Sequence, residues 1–577
     1  MTLRRGFAVL LLIFISVGIY YPAIFAGANS VDDIHIITAY LNIDNFDLKS
    51  LFLPGSSGYY YRPILGLTFI FDKFVWGLNE SFMHLENILF HGLNVVIVFL
   101  ISEHVARRYS IEERLVPFCA ALLFAVHPIN SESVSWIAGR TDLIAGIFIS
   151  LSILFLLIAM QRENVFIGLI AAVVFLISCL TKEVAVCALP GLLAIVAFHD
   201  SQDSLLHGLM KRWFFAATLS FSAITYFLFR FFAFRHGDSG INIVTNSVNA
   251  PTFDLLNNIR VILKVSGFYF KKIFIPWPLN FAIVRISDYY VIAGVILIIT
   301  LVYMLYKRGL IHAFFLTSIC VTAPALLVAL ARMAWTPVAE RYLYIPCITF
   351  SVAISILVYK NMNQCSTRIK NLLYLLIVVF FIICSYSTVR RVMIWQSNIA
   401  LFEDTLKNSP DFYLAKNELV YALQQIGRND EAKKLMLSIE APENSKRGGK
   451  LVDGNRAAII AADGDLNGAK KLLLRNIEDS GSMYPSIAER IISINMKLIS
   501  GERNSIKIKE LRNEILTLLL KLQEQSGDPF YYYRIGQFHL SIGDRTTAQR
   551  SFSEAYLKSP EGAYYKPAAK KLAEKLK

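Results

Sequence analysis

The chain has 577 residues, of which 55% are hydrophobic and 17% charged, and its mean hydropathy is +0.50. This composition excludes an ordinary soluble protein of this length and predicts an integral membrane protein. The formal net charge is +14, and many of the basic residues fall in short connections between apolar runs, as in multi-span proteins. We expect membrane lipid as a partner and no nucleic acid.

The apolar runs predict about eleven transmembrane helices, the first one retained rather than cleaved as a signal peptide. The predicted spans are 6–30, 88–102, 115–126, 143–160, 165–180, 184–198, 213–229, 291–306, 313–330, 343–359 and 372–388. A further segment, 258–274, carries four Lys and Arg residues at near-helical spacing. That pattern favours an interfacial or re-entrant helix over a lipid-exposed span.

Lys and Arg in the short connections predict the orientation. Arg4 with Arg5, Arg107 with Arg108, and Lys307 with Arg308 fall on alternate connections, which the positive-inside rule places in the cytoplasm. The N-terminus is then cytoplasmic. With an odd number of spans, the C-terminal part is lumenal or periplasmic.

The composition becomes polar near residue 390, so we predict two domains, residues 1–390 in the membrane and residues 391–577 outside it. Four glycines that could end helical turns recur in the second domain, at Gly427, Gly464, Gly501 and Gly543. Seven residues of the last unit fall on positions of the tetratricopeptide consensus: Tyr532, Ile535, Gly536, Ala548, Phe552, Ala555 and Pro560. The third unit has Ile506 where that consensus has Ala. Such repeats stack into an α-solenoid with a peptide-sized groove, and we expect it to bind a polypeptide partner.

An acidic pair follows the first span, in the stretch VDDIHII. Paired carboxylates repel each other, so one can hold a proton while its neighbour stays ionised and acts as a base or holds a cation. The alternative is structural, because Asp32 or Asp33 could cap an interfacial helix that begins here. No zinc or haem spacing is present, and a divalent cation is left open as a cofactor.

Several stretches, in this order along the chain, resemble the transmembrane and tetratricopeptide repeat O-mannosyltransferase family. They are VDDIHII, YYRPILGLTFIFDKFVWGLN leading to MHLENILFHGLN, HPINSESVSWIAGRTDLIAG, LTKEVAVCALP, AERYLYIP and WQSNIALFEDTLKNSP. VDDIHII also resembles the Asp-Glu motif of the protein O-mannosyltransferases, with Asp33 where that family usually has Glu. The resemblance implies an all-α, multi-span GT-C glycosyltransferase fold, a polyprenyl-phosphate-linked sugar as donor and a hydroxyl group of a protein as acceptor.

By this analogy, Asp32 is the expected general base and Asp33 its catalytic partner. The leaving lipid phosphate needs cations, because guanidinium and ammonium groups bind phosphate oxygens. The candidate phosphate-binding residues are Arg62, Arg140, Lys182, Arg332 and Arg341. The candidate residues of the donor or acceptor pocket are His35, His127, Glu132, Asp142, Glu183 and Glu340.

Structural roles compete with these assignments. Arg140 could pair with Asp142, Lys182 could pair with Glu183, and His127 could close a helix end before Pro128. Trp136, Trp335 and Tyr342 could stack on a sugar, or could anchor the chain at the membrane surface. Two other function classes also remain: a membrane-anchored scaffold or assembly factor that acts through its repeats, and a lipid-handling transporter.

Overall fold

The computed structural model describes residues 4–41, 48–53, 60–200, 204–234, 254–331, 336, 338–440, 446–480, 485–559, 563 and 565–577. These residues are helical apart from turns, connections and one isolated antiparallel bridge between Ile283 and Val338. They form two compact units. The first contains residues 1–37 and 48–410, and the second contains residues 38–47 and 411–577.

The first unit is a bundle of long apolar helices joined by short helices and connections. Its helices are α1 (Arg5–Tyr20), α2 (Asp33–Leu41), α3 (Leu48–Phe52), α4 (Pro63–Trp76), α5 (Glu80–Arg108), α6 (Leu115–Val126), α7 (Ser131–Ser135), α8 (Arg140–Arg162), α9 (Val165–Thr181), α10 (Leu189–Ala197), α11 (Leu205–Lys211), α12 (Trp213–Ala233), α13 (Leu255–Phe274), α14 (Tyr290–Lys307), α15 (Leu310–Ala331), α16 (Tyr344–Met362), α17 (Thr367–Ile394) and α18 (Asn398–Asn408). Short 3-10 helices lie at Tyr21–Phe25, Pro128–Asn130, Ile137–Gly139, Glu183–Ala188 and Glu340–Leu343.

In the described residues, eight helices are long and apolar enough to cross a membrane, or nine if one bent pair forms a single span. The chain is therefore a multi-pass membrane protein, and the predicted number of about eleven spans was too high. Three predicted spans are shorter helical pieces: Leu115–Val126, which bends by 45° into Pro128–Ser135, Val165–Thr181 and Glu183–Ala197. None of these pieces has the roughly 20 residues that a membrane span needs, although Val165–Thr181 exposes Val165, Phe166 and Val173 on its surface.

Helix α5 extends well beyond the predicted span 88–102. The side chain of Asn79 caps its first turn, accepting hydrogen bonds from the backbone N–H groups of Ser81 and Phe82, as N-cap residues do. The charged residues Glu86 and Glu103 limited the predicted span, but Glu103 is buried, and so are the polar side chains of Asn87, His91 and Asn94 that lie between them.

Glycines allow close contacts between helices of this unit. A Cβ atom on Gly267 of α13 would lie 1.9 Å from the carbonyl oxygen of Tyr290, and one on Gly294 of α14 would lie 2.1 Å from that of Leu263. Small residues bring membrane helices together in this way. Helix α13 is the segment 258–274 predicted as interfacial or re-entrant, and it is not among the eight candidate spans.

The second unit is a succession of helices that pack on their neighbours in the chain. They are α19 (Tyr413–Gln425), α20 (Asn429–Leu437), α21 (Lys446–Ala462), α22 (Leu466–Ser480), α23 (Pro485–Gly501), α24 (Ser505–Ser526), α25 (Phe530–Ser541), α26 (Arg545–Lys558) and α27 (Lys566–Lys575).

Three of the four predicted turn glycines in the second unit have left-handed backbone angles, with φ of +79° at Gly427, +93° at Gly464 and +85° at Gly543. Gly536 lies against Phe552, since a Cβ atom there would be 2.8 Å from the ring. Pro560 lies outside the described residues.

Candidate active site at one end of the helical bundle

The two adjacent carboxylates have different environments. Asp33 is only 1% exposed, and its two carboxylate oxygens accept hydrogen bonds from the backbone N–H groups of Asn29 at 3.0 Å and Ala138 at 2.9 Å. Burial raises the pKa of Asp33 to about 7, although these backbone hydrogen bonds lower it. Asp33 therefore ties the start of α2 to the connection before α8, and its carboxylate is already fully used.

Asp32, in contrast, is exposed to solvent. In the described part of the chain, no hydrogen bond to its carboxylate is found. Nearby protein atoms raise the pKa of Asp32 above its usual value, while the positive charges of Arg341, His35 and Arg62 lower it. Of the pair, Asp32 is the carboxylate that solvent can reach.

Arg62 lies between Asp32 and a second acid. It precedes Pro63, which occupies the first turn of α4 and fixes the direction of the entering chain. Its Nε atom donates to Glu183 Oε2 at 2.8 Å, and its Nη2 atom also bonds to Glu183. The guanidinium carbon is 4.1 Å from the centre of the Tyr60 ring. The Nη1 donors of Arg62 have no hydrogen-bond partner among the described residues.

Arg341 forms the second arginine pair. Its Nη1 atom donates to Glu132 Oε1 at 2.6 Å, and its backbone N–H donates to Glu132 Oε2 at 3.2 Å. The guanidinium carbon is 5.2 Å from the ring of Trp136 and 5.1 Å from that of Tyr342. Glu132 is buried while the Arg341 side chain is 20% exposed, so the cation faces the accessible side of the pair.

Lys182 and Asp142 form a buried pair behind the arginines, with Nζ 2.5 Å from Oδ1. Both residues line a cavity of about 30 Å³ together with Tyr342 and residues of α15. The charge of Asp142 acts on both Arg62 and Arg341. The alternative pairs Arg140–Asp142 and Lys182–Glu183 are therefore replaced by Lys182–Asp142 and Arg62–Glu183.

Arg140 has no access to a ligand in this structure. Its side chain is completely buried and donates to Asp72 at 2.5 Å, to Asn87 at 3.2 Å and to the carbonyl oxygen of Met83 at 3.1 Å. Glu86 lies 3.0 Å from its Nη2 atom. The expected contact with a donor phosphate would need this network to open, so the geometry gives Arg140 a structural role.

The remaining candidates divide into near and distant residues. His35 is exposed near Asp32. His127 is buried: its Nδ1 atom accepts from the backbone N–H of Ile129, so the hydrogen on Nε2 points to the carbonyl oxygen of Ile273, 3.1 Å away. Glu340 is buried and accepts from Lys272 at 2.6 Å, so it anchors α13. Arg332 and Trp335 lie outside the described residues.

Sequence reasoning missed the polar support of this site inside the bundle. Asp72, in the run FIFDKF, neutralises Arg140, and a charged residue in an apolar helix was the available signal. The Asn94 amide donates to the carbonyl oxygen of Leu143 at 2.9 Å. His91 Nδ1 lies 2.9 Å from the hydroxyl of Tyr344. These contacts fix α5 against α8 and α16, but nothing in the sequence indicates their partners.

An apolar cavity of about 530 Å³ lies between α13, α14, α15 and α16. One face of α16 lines it, with Phe350, Ile354, Leu357 and Asn361. The lining begins at Leu343, in the 3-10 helix directly before α16 and two residues after Arg341. At 1.5 Å per residue, Leu343 and Asn361 are roughly 27 Å apart along the helix axis. The groove therefore follows most of the length of a membrane helix and has one end beside the charged cluster.

Among the described residues, no group of three or more His, Cys, Asp and Glu side chains is placed to hold a metal ion. The cluster instead alternates acids with cations: Asp32 near Arg62 and Arg341, Glu183 on Arg62, and Glu132 on Arg341.

Comparison with curated proteins finds relatives among the protein O-mannosyl-transferases. The nematode protein O-mannosyl-transferase F38B6.6 from Caenorhabditis elegans is 23% identical over 373 residues, which cover 61% of this chain and 49% of the nematode protein. The chain is homologous to the protein O-mannosyl-transferases. No protein-family model matches it.

Two human protein O-mannosyl-transferases share shorter but more similar regions. TMTC1 from Homo sapiens is 38% identical over 94 residues, covering 16% of this chain and 10% of TMTC1. TMTC4 from Homo sapiens is 35% identical over 114 residues, covering 18% of this chain and 15% of TMTC4. The matched region thus spans half or less of the length of each of these relatives.

Proposed function

We propose that the chain is an integral-membrane O-glycosyltransferase. It moves a hexose, mannose by analogy with the names of its homologues, from a polyprenyl-phosphate donor to a hydroxyl group of an acceptor protein. The observation that carries this proposal is the position of Asp32, a solvent-accessible carboxylate with no hydrogen bond in the described structure, within electrostatic reach of Arg62 and Arg341.

The proposed reaction is a single displacement at the anomeric carbon. The Asp32 carboxylate accepts the proton of the acceptor hydroxyl as its oxygen forms the new bond to that carbon. The bond from the anomeric carbon to the phosphate oxygen breaks, and the polyprenyl phosphate leaves with the electron pair. Negative charge therefore develops on the phosphate and needs nearby cations.

Arg62 and Arg341 are the cations best placed to receive that charge. Glu183 accepts two hydrogen bonds from the Arg62 guanidinium, and Glu132 accepts one from the Arg341 guanidinium and one from its backbone N–H. These bonds orient both guanidinium groups before a ligand arrives. Lys182 is already neutralised by Asp142, so its contribution is to place Asp142 between the two arginines. Asp33 is a positioning residue in this proposal and not the catalytic partner first expected.

The apolar groove beside Leu343 supports a lipid-linked donor. A polyprenyl chain in this groove would keep the phosphate at the end where Arg341 lies. We further propose that the second unit binds the acceptor protein and that the site faces the lumen or periplasm.

The decisive test is the intact mass of exported and membrane proteins from cells that express the wild-type chain, no chain, or the Asp32→Asn variant. A hexose-sized increase with the wild type should fall by at least about 100-fold in Asp32→Asn, the usual contribution of a general base. Asp288→Asn is the matched control, because Asp288 is an exposed acid that pairs with Arg260 and Lys264 away from the cluster.

Three outcomes would contradict the proposal. Full transfer by Asp32→Asn would remove the proposed base. An equal loss in Asp288→Asn would show that the effect is not local. No mass difference with the wild type would favour a scaffold or a lipid transporter.

A further inference from the structure

A second apolar cleft lies at the opposite end of the bundle from Asp32. It consists of two adjoining cavities of about 370 Å³ and about 480 Å³ that share Val358, Met362, Ile377 and Phe380 in their lining. The first lies between α6, α16 and α17, and the second lies between α16 and α17. We call this pair of cavities the far cleft.

The far cleft is separate from the groove beside Leu343. Helix α16 starts next to the charged cluster and runs for 19 residues, and the far cleft uses its last two turns. The two features have only Ile354 and Asn361 in common, because they lie on different faces of α16.

Basic residues surround the rim of the far cleft. The segment 360–370, which covers the end of α16, the connection and the first turn of α17, contains Lys360, Arg368 and Lys370 and no Asp or Glu. Lys370 stands one turn before Leu373 and Tyr374, which line the cleft. Spacings of three and four residues place Lys370 on the same face of α17 as these two lining residues.

Of the three cations in segment 360–370, Lys370 is nearest along the chain to the lining residues of α17. Lys360 lies 4.6 Å from the centre of the Tyr109 ring, which holds it towards α5. Glu113 is close enough to Tyr359 to form a hydrogen bond with its hydroxyl. Arg114 directly precedes Leu115, the first cleft residue of α6.

We propose that the far cleft binds one anionic glycerophospholipid from the surrounding membrane. Its two acyl chains fill the two cavities, on either side of the shared residues, and its phosphate interacts with Lys370. Charge complementarity selects this occupant. An apolar cleft accepts the acyl chains of any lipid, but segment 360–370 carries three cations and no acid, which favours a headgroup with net negative charge.

The test is native mass spectrometry of the full chain in detergent micelles that contain equal amounts of phosphatidylglycerol and phosphatidylcholine. We expect the wild type to retain phosphatidylglycerol preferentially. Lys370→Gln should reduce that preference by roughly fivefold, the factor expected for one cation beside an anionic headgroup. Arg162→Gln is the matched control, because Arg162 is an exposed cation at the last residue of α8 and lies outside the far cleft.

Each contrary result would overturn the proposal. Equal retention of the two lipids by the wild type would show that the cleft does not select charge, and this measurement does not depend on any variant folding. An unchanged preference in Lys370→Gln, or an equal loss in Arg162→Gln, would show that the charge at the rim is not the selecting group. Lipid retention is measured without sugar transfer, so the result is independent of the proposed function.

Discussion

Two neighbouring carboxylates, Asp32 and Asp33, show how burial gives identical side chains different chemistry. Asp33 binds two backbone N–H groups and is 1% exposed, whereas Asp32 faces solvent and two arginines. The sequence predicted that the pair would split its roles, but not which member would be buried. That depends on the contact between Asp33 and Ala138, 105 residues later in the chain.

The raised pKa of Asp33 gives a stability prediction with a definite sign. Its carboxyl has a pKa of about 7 in the folded protein, against 3.8 for an unperturbed aspartate. Between pH 3.8 and about pH 7, Asp33 is more often protonated in the folded chain than in the unfolded chain. Stability should therefore decline as the pH rises from about 4 to about 7 and level off above that.

Thermal unfolding of the wild type and Asp33→Asn in lipid nanodiscs, measured across this pH range, checks the prediction. Asparagine does not titrate, so the variant should lack this part of the slope whatever its overall stability. An identical slope in both proteins would assign the pH dependence to other groups.

At the scale of elements, the first turn of α8 is held by Arg140. This buried cation joins α8 to Asp72 of α4 and to Asn87 and Glu86 of α5. Removal of one partner from a buried charge pair leaves the other charge without compensation, which typically costs about 3–5 kcal/mol.

We therefore expect Arg140→Ala to lower the amount of folded protein and its unfolding temperature, with any loss of transfer following from the loss of fold. Arg162→Ala, at the exposed end of the same helix, should change stability by no more than about 0.5 kcal/mol. Size-exclusion profiles and thermal unfolding of both variants distinguish these outcomes. A stable Arg140→Ala protein that has lost only sugar transfer would restore Arg140 as a phosphate ligand.

The helix α5 and the short helices around Lys182 show why element boundaries were hard to predict. Hydropathy depends on the residue types in a segment and not on the tertiary contacts that those residues make. Glu86 and Glu103 limited the predicted span to 88–102 within a 29-residue helix, yet their ion-pair partners, Arg140 and Arg5, lie on other helices. Conversely, residues 165–197 are apolar enough for two spans but break at Lys182, where the chain turns to place a charge beside Asp142.

On the scale of the whole molecule, the membrane class, the helical fold and the kind of relative followed from composition and short motifs. The number of spans did not, because apolar segments buried inside a large membrane protein have the same composition as those facing lipid. The ion pairs did not follow either: Arg62–Glu183 and Arg341–Glu132 join residues 121 and 209 positions apart.

The groove beside Leu343 predicts a dependence on the length of the donor lipid. Thr300 of α14 lines it, so Thr300→Trp should fill part of the space. The KM for a long-chain polyprenyl-phosphate donor should rise about tenfold, the loss of roughly two buried methylene groups. The KM for a short-chain analogue should not change.

Ile299→Trp is the control for this experiment, since Ile299 is adjacent, 64% exposed and outside the groove lining. Kinetics with both donors separate the alternatives. A similar rise in KM for the short-chain donor would mean that Thr300→Trp disturbs the charged cluster rather than the binding of the polyprenyl chain.

The pairing of Glu132 with Arg341 also sets an order for biosynthesis. Glu132 is synthesised 209 residues before Arg341. During that interval its carboxylate, which is buried in the folded protein, has no counter-ion. By contrast, Asp33 is synthesised only 105 residues before Ala138, and Glu183 is synthesised after its partner Arg62. Nascent chains that end before α16 should therefore be poor at leaving the insertion machinery and good substrates for membrane quality control, while chains a few dozen residues longer should escape it.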